Sequence, residues 1–181
     1  MIRSLGFSGV MVRGSGIQYD LRRDKPYEKY TELKLPVIVG RAGDCFDRFL
    51  VRAMEIKSSL NTITDVVDTM PKGPIRSVHY ETNRHIVKNN MEDLIKHFKQ
   101  CSEGIILPKE SNYTCTEVPK GEFGVFSLTN PITPTTHLRC HIRSPGFYHL
   151  AGMRYITKGS LLADLVAIIG TLDLVFGEVD R

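Results

Sequence analysis

Between Cys45 and Met70 the apolar residues Phe46, Phe49, Leu50, Ala53, Met54, Leu60, Ile63, Val66, Val67 and Met70 recur at intervals close to three and four, while Arg48, Arg52, Glu55, Lys57 and Asp65 fall elsewhere. This period predicts an amphipathic helix of about 40 Å, capped by Asp44 and stopped by Pro71. A helix of that length needs an apolar surface to lie against, so its stripe reads as core or as an inter-helix seam and not as a ligand site. The chain has 181 residues, of which 41% are hydrophobic and 24% charged. That suffices for one domain with a sizeable core, or two small ones, and excludes disordered, collagen-like and low-complexity classes.

Weaker signals place the other elements. Gly14-Ser15-Gly16 is a turn, Pro26 is expected to open a short helix within Asp20–Tyr30, and Leu35–Val39 reads as an edge or irregular strand because it contains Pro36. Met91–Gln100 predicts a second helix, capped by Asn89 or Asn90 and ended near Gly104. Tyr113–Val118 and Gly124–Leu128 flank Pro119-Lys120-Gly121 as a hairpin, with Leu138–Ile142 as a third strand and Asn130–Thr136 as an exposed loop. Ser160 is expected to cap a last helix over Leu161–Ile169, ended by Gly170. The eleven residues after it are still apolar and must pack back against something.

Charge and cysteine usage narrow the function. The net charge of +4 is small and scattered, unlike the concentrated basic face of a nucleic-acid binder. The four cysteines, Cys45, Cys101, Cys115 and Cys140, form no C-x-x-C pair, so zinc-ribbon and iron–sulfur ligation lack their ligands, and reduced thiols are expected. The longest apolar stretch, Leu161–Ile169, contains Asp164 and is well short of the roughly 20 residues of a spanning helix. Arg3 and Arg13, with no acid before Asp20, superficially suit a transit peptide, but Gly6, Gly9, Gly14 and Gly16 would break its helix and point to a glycine-rich loop.

Three candidate sites fail on chemistry or geometry. His137, Cys140 and His141 cannot converge on a metal, because on a strand Cys140 points away from the two histidines. Lys120–Phe126 resembles an RNA-stacking strand, but Glu122 occupies an aromatic position and would repel phosphate. Arg13-Gly-Ser-Gly16 lacks the ending of a phosphate-binding loop. Asp173, Glu178 and Asp180, set among Leu172, Leu174, Val175, Phe176 and Val179, are different: acids in an apolar surround must pair with cations or take up protons. Composition alone points to a site only here.

Several longer motifs carry a resemblance. Gly6-Phe-Ser-Gly-Val-Met-Val-Arg-Gly-Ser-Gly-Ile17, Tyr19-Asp-Leu-Arg22, Lys25-Pro-Tyr27, Gly43-Asp-Cys-Phe-Asp-Arg48, Met70-Pro-Lys-Gly-Pro74, Pro119-Lys-Gly-Glu-Phe-Gly-Val125, Ile142-Arg-Ser-Pro-Gly-Phe147, Ala163-Asp164 and Ile168 through Arg181 together resemble the 49-kDa subunit of respiratory complex I and its counterpart in the bacterial NADH:quinone oxidoreductase. The resemblance spans this chain but only the C-terminal half, or a little less, of the family's subunit. It implies one piece of a split subunit, with the N-terminal half on a separate polypeptide, and a unit of residues 1–181 that does not fold independently of its partners.

The family in turn resembles the large subunit of nickel–iron hydrogenases. This implies an α+β, mainly α fold: a long amphipathic helix over about 44–70, a small antiparallel β region over about 113–142, and a C-terminal helix and tail. Where hydrogenases carry a metal-ligating Asp-Pro-Cys-x-x-Cys, this chain has Asp173-Leu174-Val175-Phe176-Gly177-Glu178, with Val175 and Glu178 at the cysteine positions. The resemblance implies no metal here and a quinone-binding cavity in its place. Asp173 would act as a charged or proton-linked group, Val175 and Phe176 as apolar wall, and Lys120 would lie near the same region. Arg143, Glu178 and Arg181 are expected to form structural ion pairs holding the tail. The chain departs from the family in its longer Leu128–Leu138 loop and in Tyr148, which stands where a small residue is usual.

The implied activity is that of one component of a proton-translocating NADH:ubiquinone reductase, inactive as an isolated chain. Quinone is the substrate and no cofactor is bound by this chain alone. The implied partners are the N-terminal half, the subunit carrying the terminal iron–sulfur cluster, the 30-kDa-type subunit and the membrane-arm subunits, on the matrix side of the mitochondrial inner membrane. A component of a plastid- or hydrogenase-like quinone oxidoreductase, or a structural or assembly remnant without redox role, are the alternatives.

Overall fold

The computed structural model describes residues 2, 4–73, 90–104, 106–108, 110–133 and 135–180. Its elements are α1 (Val10–Arg13), α2 (Leu21–Asp24), α3 (Cys45–Thr69), α4 (Met91–Ser102), strands β1 (Ser111–Val118), β2 (Gly121–Thr129) and β3 (His137–Arg143), then α5 (Pro145–Ile156), α6 (Leu162–Leu172) and α7 (Phe176–Asp180). Helices plus a three-stranded sheet in the order β1-β2-β3 give the mixed, mainly helical architecture that the sequence implied. The chain divides into two compact units, one of Met1–Asp68, Tyr113–Phe126 and His141–Arg181, the other of Thr69–Asn112 and Ser127–Cys140.

The long helix starts and stops where its sequence dictates. Asp44 Oδ1 accepts the Asp47 N–H at 2.7 Å, and the helix ends at Thr69, two residues before Pro71. Asp47 in turn gathers the loop ahead of the helix, one carboxylate oxygen accepting the N–H groups of Arg41, Ala42 and Gly43 at 2.7, 2.5 and 3.2 Å.

What the helix buries differs from expectation. The face turned inward carries Arg48 and Val51, with Cys45, Arg52 and Glu55 half-buried, whereas Phe46, Phe49, Ile56, Leu60, Ile63, Val67 and Met70 are all exposed, Phe46 at 65%. The exposed residues follow a near-heptad 3–4 spacing, the pattern of a seam that packs against another helix. The apolar stripe is therefore not the core of the described residues.

The core is built around the segment that reads as a glycine-rich loop, with α6 packed on it. Phe7, Met11, Val12, Ile168 and Leu172 form the buried cluster, with Tyr19, Cys45, Met153, Ile156 and Leu174 packed around it. The glycines flanking α1 let a single apolar turn sit inside other elements. Gly9 has φ +66°, and a Cβ there would stand 2.5 Å from Gly121 Cα and from the Lys120 carbonyl oxygen. Both the backbone conformation and the contact demand glycine. Gly9→Ala should cost at least about 2 kcal/mol from strain and overpacking. The assembled protein should show a lower unfolding midpoint, and an unchanged midpoint would contradict the close approach.

The hairpin and third strand agree with the sequence reading, the turn being Pro119–Lys120. Helix α4 also agrees, Asn90 accepting the Glu92 N–H at 3.2 Å. Four local expectations are corrected. The short helix near Pro26 precedes that residue, because Asp20 caps Leu21–Asp24 by accepting the Arg22 N–H at 2.9 Å. Leu35–Val39 pairs with no strand among the described residues, consistent with the donor that Pro36 lacks. Helix α6 begins after Leu161 and not Ser160, since the Asp164 carboxylate reaches back to the Leu161 N–H at 3.0 Å. It then runs through Gly170 to stop at Asp173, whose left-handed backbone (φ 51°, ψ 52°) ends it. Helix α5 goes beyond the sequence expectation, although Pro145 at its first position is a start signal.

Tyr148, the departure from the family, fills the space over Gly6, and the Arg143 guanidinium lies over its ring at 4.8 Å. No helix among the described residues is long and apolar enough to cross a membrane.

Candidate functional site

Asp173 is exposed at the rim of a cavity of about 460 Å³ within the first unit. Helix α3 supplies Arg52, Glu55, Ile56 and Leu60 to its lining, and the end of β1 supplies Glu117, Val118 and Pro119. Arg13 and Arg22 complete the charged part of the lining. The lining is part hydrocarbon and part ionic.

The ionic part is organised by Arg13, whose side chain is 2% exposed. Its Nε donates to Glu55 Oε1 at 2.6 Å, and its Nη1 donates to Glu117 Oε1 at 2.8 Å and to the Tyr19 carbonyl at 3.1 Å. Asp20 Oδ2 stands 3.9 Å away and is bonded to Arg22 at 2.7 Å. Burial opposes the Arg13 charge, but the two glutamates more than offset it and hold the guanidinium above its ordinary range. For Glu117 burial dominates and pushes the carboxyl up, because Arg13 divides its attraction among several acids. Tyr19 is pushed up to about 12 by burial and by Glu122 and Glu117. Arg52 donates to the Thr171 carbonyl at 2.5 Å, and burial holds it below its ordinary range against the pull of Asp173.

The tail is held by a different set. Glu178 Oε2 pairs with Lys120 Nζ at 3.1 Å, while its Oε1 accepts the Gly146 N–H at 3.0 Å, setting a carboxylate on the N-terminus of α5. Of the residues expected to hold the tail, Glu178 does so through Lys120, the residue expected near the cavity. Arg143 is not brought to the tail; it pairs with Glu122 at 3.4 Å and donates to the Gly6 carbonyl at 3.1 Å. Arg181 lies outside the described residues. Val175 and Phe176 are exposed, at 50% and 72%, and do not line this cavity, whereas Asp173 does.

His149 is a further buried titratable group, 2% exposed, with Nε2 3.2 Å from the Ser8 carbonyl and its ring edge-on to Phe7. Burial pulls its pKa down to about 4 from an ordinary 6.5. The unfolded chain then takes up a proton below pH 6.5 that the folded chain refuses until about 4, so stability falls as pH drops through that window. The loss amounts to about 3 kcal/mol at most. His149→Gln, which keeps a donor for Ser8, should flatten that part of the stability–pH curve; an unchanged slope would contradict the assignment.

Arg13, Glu55, Arg52 and Glu117 do not stand out in the sequence. A lone arginine directly after Val10-Met11-Val12, inside a glycine-bounded apolar run, is the available signal, since such a charge is buried only if paired. The four cysteines are free, and among the described residues no group of three or more His, Cys, Asp or Glu side chains is placed to hold a metal ion.

The described residues thus combine an exposed apolar seam along α3, a small β-meander, a guanidinium–carboxylate cavity and an acid-bearing C-terminal segment held to the hairpin turn. The family model for the respiratory-chain NADH dehydrogenase 49 Kd subunit matches residues 1–181, and the chain belongs to that family. It is 47% identical to the NADH-ubiquinone oxidoreductase 49 kDa subunit of Pylaiella littoralis over 97% of this chain and 44% of the relative. It is 46% identical to the corresponding component of the NADH-quinone oxidoreductase of Pelagibacter ubique over 97% of this chain and 45% of that protein. It is 48% identical to the NADH dehydrogenase [ubiquinone] iron-sulfur protein 2 of Arabidopsis thaliana over 97% of this chain and 45% of that one. The chain thus spans less than half the length of these relatives.

Proposed function

We propose that this chain is a core part of NADH:ubiquinone oxidoreductase, respiratory complex I, and forms one wall of its quinone-binding cavity beside the terminal iron–sulfur cluster of a neighbouring subunit. The observation that carries the reading is the family match along all 181 residues. In this reading the chain is inactive alone. Its exposed α3 seam takes up helices of the companion N-terminal half of the 49-kDa-type fold, and the 30-kDa-type and membrane-arm subunits complete the surroundings. The chain belongs to the peripheral, matrix-side arm of that complex at the mitochondrial inner membrane, and quinone reduction there is coupled to proton translocation. The hydrogenase-like ancestry of the fold belongs to the same proposal.

The chemistry asked of the wall is modest. A quinone accepts two electrons, which the neighbouring cluster supplies, and two protons, which oxygen-bearing side chains and water supply. Asp173, poised beside Arg52 at the rim, sets the local charge that a reduced headgroup meets. Glu178 and Lys120 fix the tail so that Asp173 keeps its place, and Val175 and Phe176 offer apolar surface to the headgroup or to a neighbouring subunit.

Affinity purification of the chain from native membranes in mild detergent tests this reading. The expected result is a large assembly that oxidises NADH and contains a polypeptide matching the upstream half of the 49-kDa-type subunit. Recovery of the chain outside any NADH-oxidising assembly, with a full-length 49-kDa-type subunit in that assembly instead, would overturn it in favour of a non-catalytic role.

A further inference from the structure

Of the three guanidinium groups in the cavity lining, two are taken up by carboxylates. Arg13 serves Glu55 at 2.6 Å and Glu117 at 2.8 Å, and Arg22 is bonded to Asp20 at 2.7 Å. Arg52, set half-buried in the same lining by α3, makes no ion pair among the described residues. Its one hydrogen bond there runs from Nη2 to the Thr171 carbonyl at 2.5 Å, which leaves the rest of its donor fork unspent.

The charges that face Arg52 do not compensate it. Burial opposes its charge most, Asp173 and Glu55 attract it from beyond ion-pair distance, and Arg48 repels it. Asp173 is exposed to water at the rim, and Glu55 is already bonded to Arg13. Arg48 has no carboxylate either, but it lies outside the lining, and its two terminal nitrogens go to the Gly43 carbonyl at 2.9 Å, the Cys45 sulfur at 3.1 Å and the Thr171 hydroxyl at 3.4 Å. A half-buried guanidinium with unspent donors is stabilised by an oxygen brought into its cavity. Ile56 and Leu60 follow Arg52 one and two turns along the same face of α3, where the seam borders the cavity, and Val118 and Pro119 add hydrocarbon from β1 and the turn after it. The lining therefore offers a cation with hydrocarbon beside it, the complement of a ring that carries a carbonyl oxygen and an apolar remainder.

We propose that Arg52 is the headgroup-binding residue of this cavity, donating through its unspent N–H groups to one carbonyl oxygen of the quinone, with Ile56 and Leu60 against the hydrocarbon behind that oxygen. The inference rests on the quinone-cavity reading. The bond is made to the oxidised headgroup and strengthens as electrons arrive, because negative charge then develops on the oxygen that Arg52 meets. Two electrons from the neighbouring cluster and two protons from oxygen-bearing side chains and water convert the quinone to the quinol. Arg52 keeps its own protons throughout, and the quinol hydroxyl that replaces the carbonyl is the weaker acceptor and leaves.

The test is the kinetics of NADH:quinone reduction by the assembled complex in native membranes, using a short-chain ubiquinone analogue, with NADH:ferricyanide activity as the measure of assembly. Arg52→Gln keeps a donor for the Thr171 carbonyl and removes the charge. It should raise KM for the analogue and lower kcat/KM by roughly tenfold or more, the loss of one charge-assisted hydrogen bond. A residue that only caps the end of α6 would leave KM unmoved, so a wild-type KM and kcat/KM in Arg52→Gln overturns the proposal. Should Arg52→Gln fail to assemble, Arg52→Lys decides: its single ammonium cannot serve Thr171 and the headgroup together, so a raised KM supports the proposal and a wild-type KM overturns it. Failure of both variants to assemble assigns Arg52 to the structure and overturns it too. Labelling of the wild-type chain with an azido-ubiquinone separates the two readings. Label on this chain that ubiquinone displaces, together with wild-type kinetics in Arg52→Gln, removes only the role of Arg52; absence of such label removes the cavity reading as well.

Discussion

Asp173→Asn should lower the quinone reductase activity of the assembled complex by roughly tenfold or more, in line with the loss of one group set against developing charge, while NADH:ferricyanide activity persists. The substitution isolates charge from structure. Asn tolerates the left-handed conformation that Asp173 adopts (φ 51°), so the end of α6 is preserved. The tail does not depend on Asp173 for its attachment, because Glu178 bonds Lys120 and the N-terminus of α5 independently. What changes is the charge facing Arg52 at the cavity rim. Sensitivity to quinone-site inhibitors should shift with the rate, and wild-type kinetics with a wild-type inhibitor response would contradict the role.

Arg13→Met should destabilise the first unit by about 3–5 kcal/mol, the usual consequence of removing one partner from a buried ion pair. Glu55 is partly exposed, with a side chain at 21%, and can turn to water, but Glu117 cannot. Without Arg13, Glu117 must carry an unpaired charge or a proton, so its folded-state pKa rises further above the unfolded value. The folded state then binds more protons than the unfolded one, and stability falls as pH rises above the ordinary carboxyl range. The deficit should therefore be larger at about pH 8 than at about pH 5. Thermal unfolding of the assembled protein at the two pH values measures it, and a deficit that is absent, or the same at both, contradicts the burial of Glu117. Arg13→Lys should recover only part of the loss, because an ammonium cannot serve two carboxylates with the fixed fork of a guanidinium.

The parts of the fold that local chemistry controls were legible in the sequence. Asp44 and Pro71 bracket α3, Asn90 opens α4, and Pro119–Lys120 turns the hairpin, each through a hydrogen bond or a missing donor that acts within a few residues. The core was not legible, because the strongest apolar signal belongs to a surface that these residues leave open. Phe46, Leu60 and Val67 make a regular seam and stay exposed, while the buried cluster draws on Val12 and Met11 from a run too short and too rich in glycine to register as periodic.

The candidate site divides the same way. Asp173 stands out through its apolar neighbours, and the structure sets it at a cavity. Glu117 does not, because nothing in its own segment marks it, and Arg13 stands out only as a lone charge in an apolar run; the pair acquires meaning only when β1 and α1, 104 positions apart, meet. Helix α6 shows how one side chain moves a boundary: Asp164 reaching Leu161 displaces the start by a residue from Ser160, and the left-handed Asp173 ends the helix where Gly170 was expected to. That last shift places an acid, and not a glycine, at the point where the helix meets the cavity.

If this chain lines a quinone site within a larger NADH-oxidising assembly, a quinone bound there must touch it. Photolabelling that assembly with an azido-ubiquinone, followed by peptide mapping of this chain, tests the contact most directly. Label is expected on the segment from Leu172 to Phe176 or on Glu117–Pro119 at the end of β1, displaced by excess unlabelled ubiquinone. Label confined to other subunits, or label on this chain that ubiquinone does not displace, would contradict it.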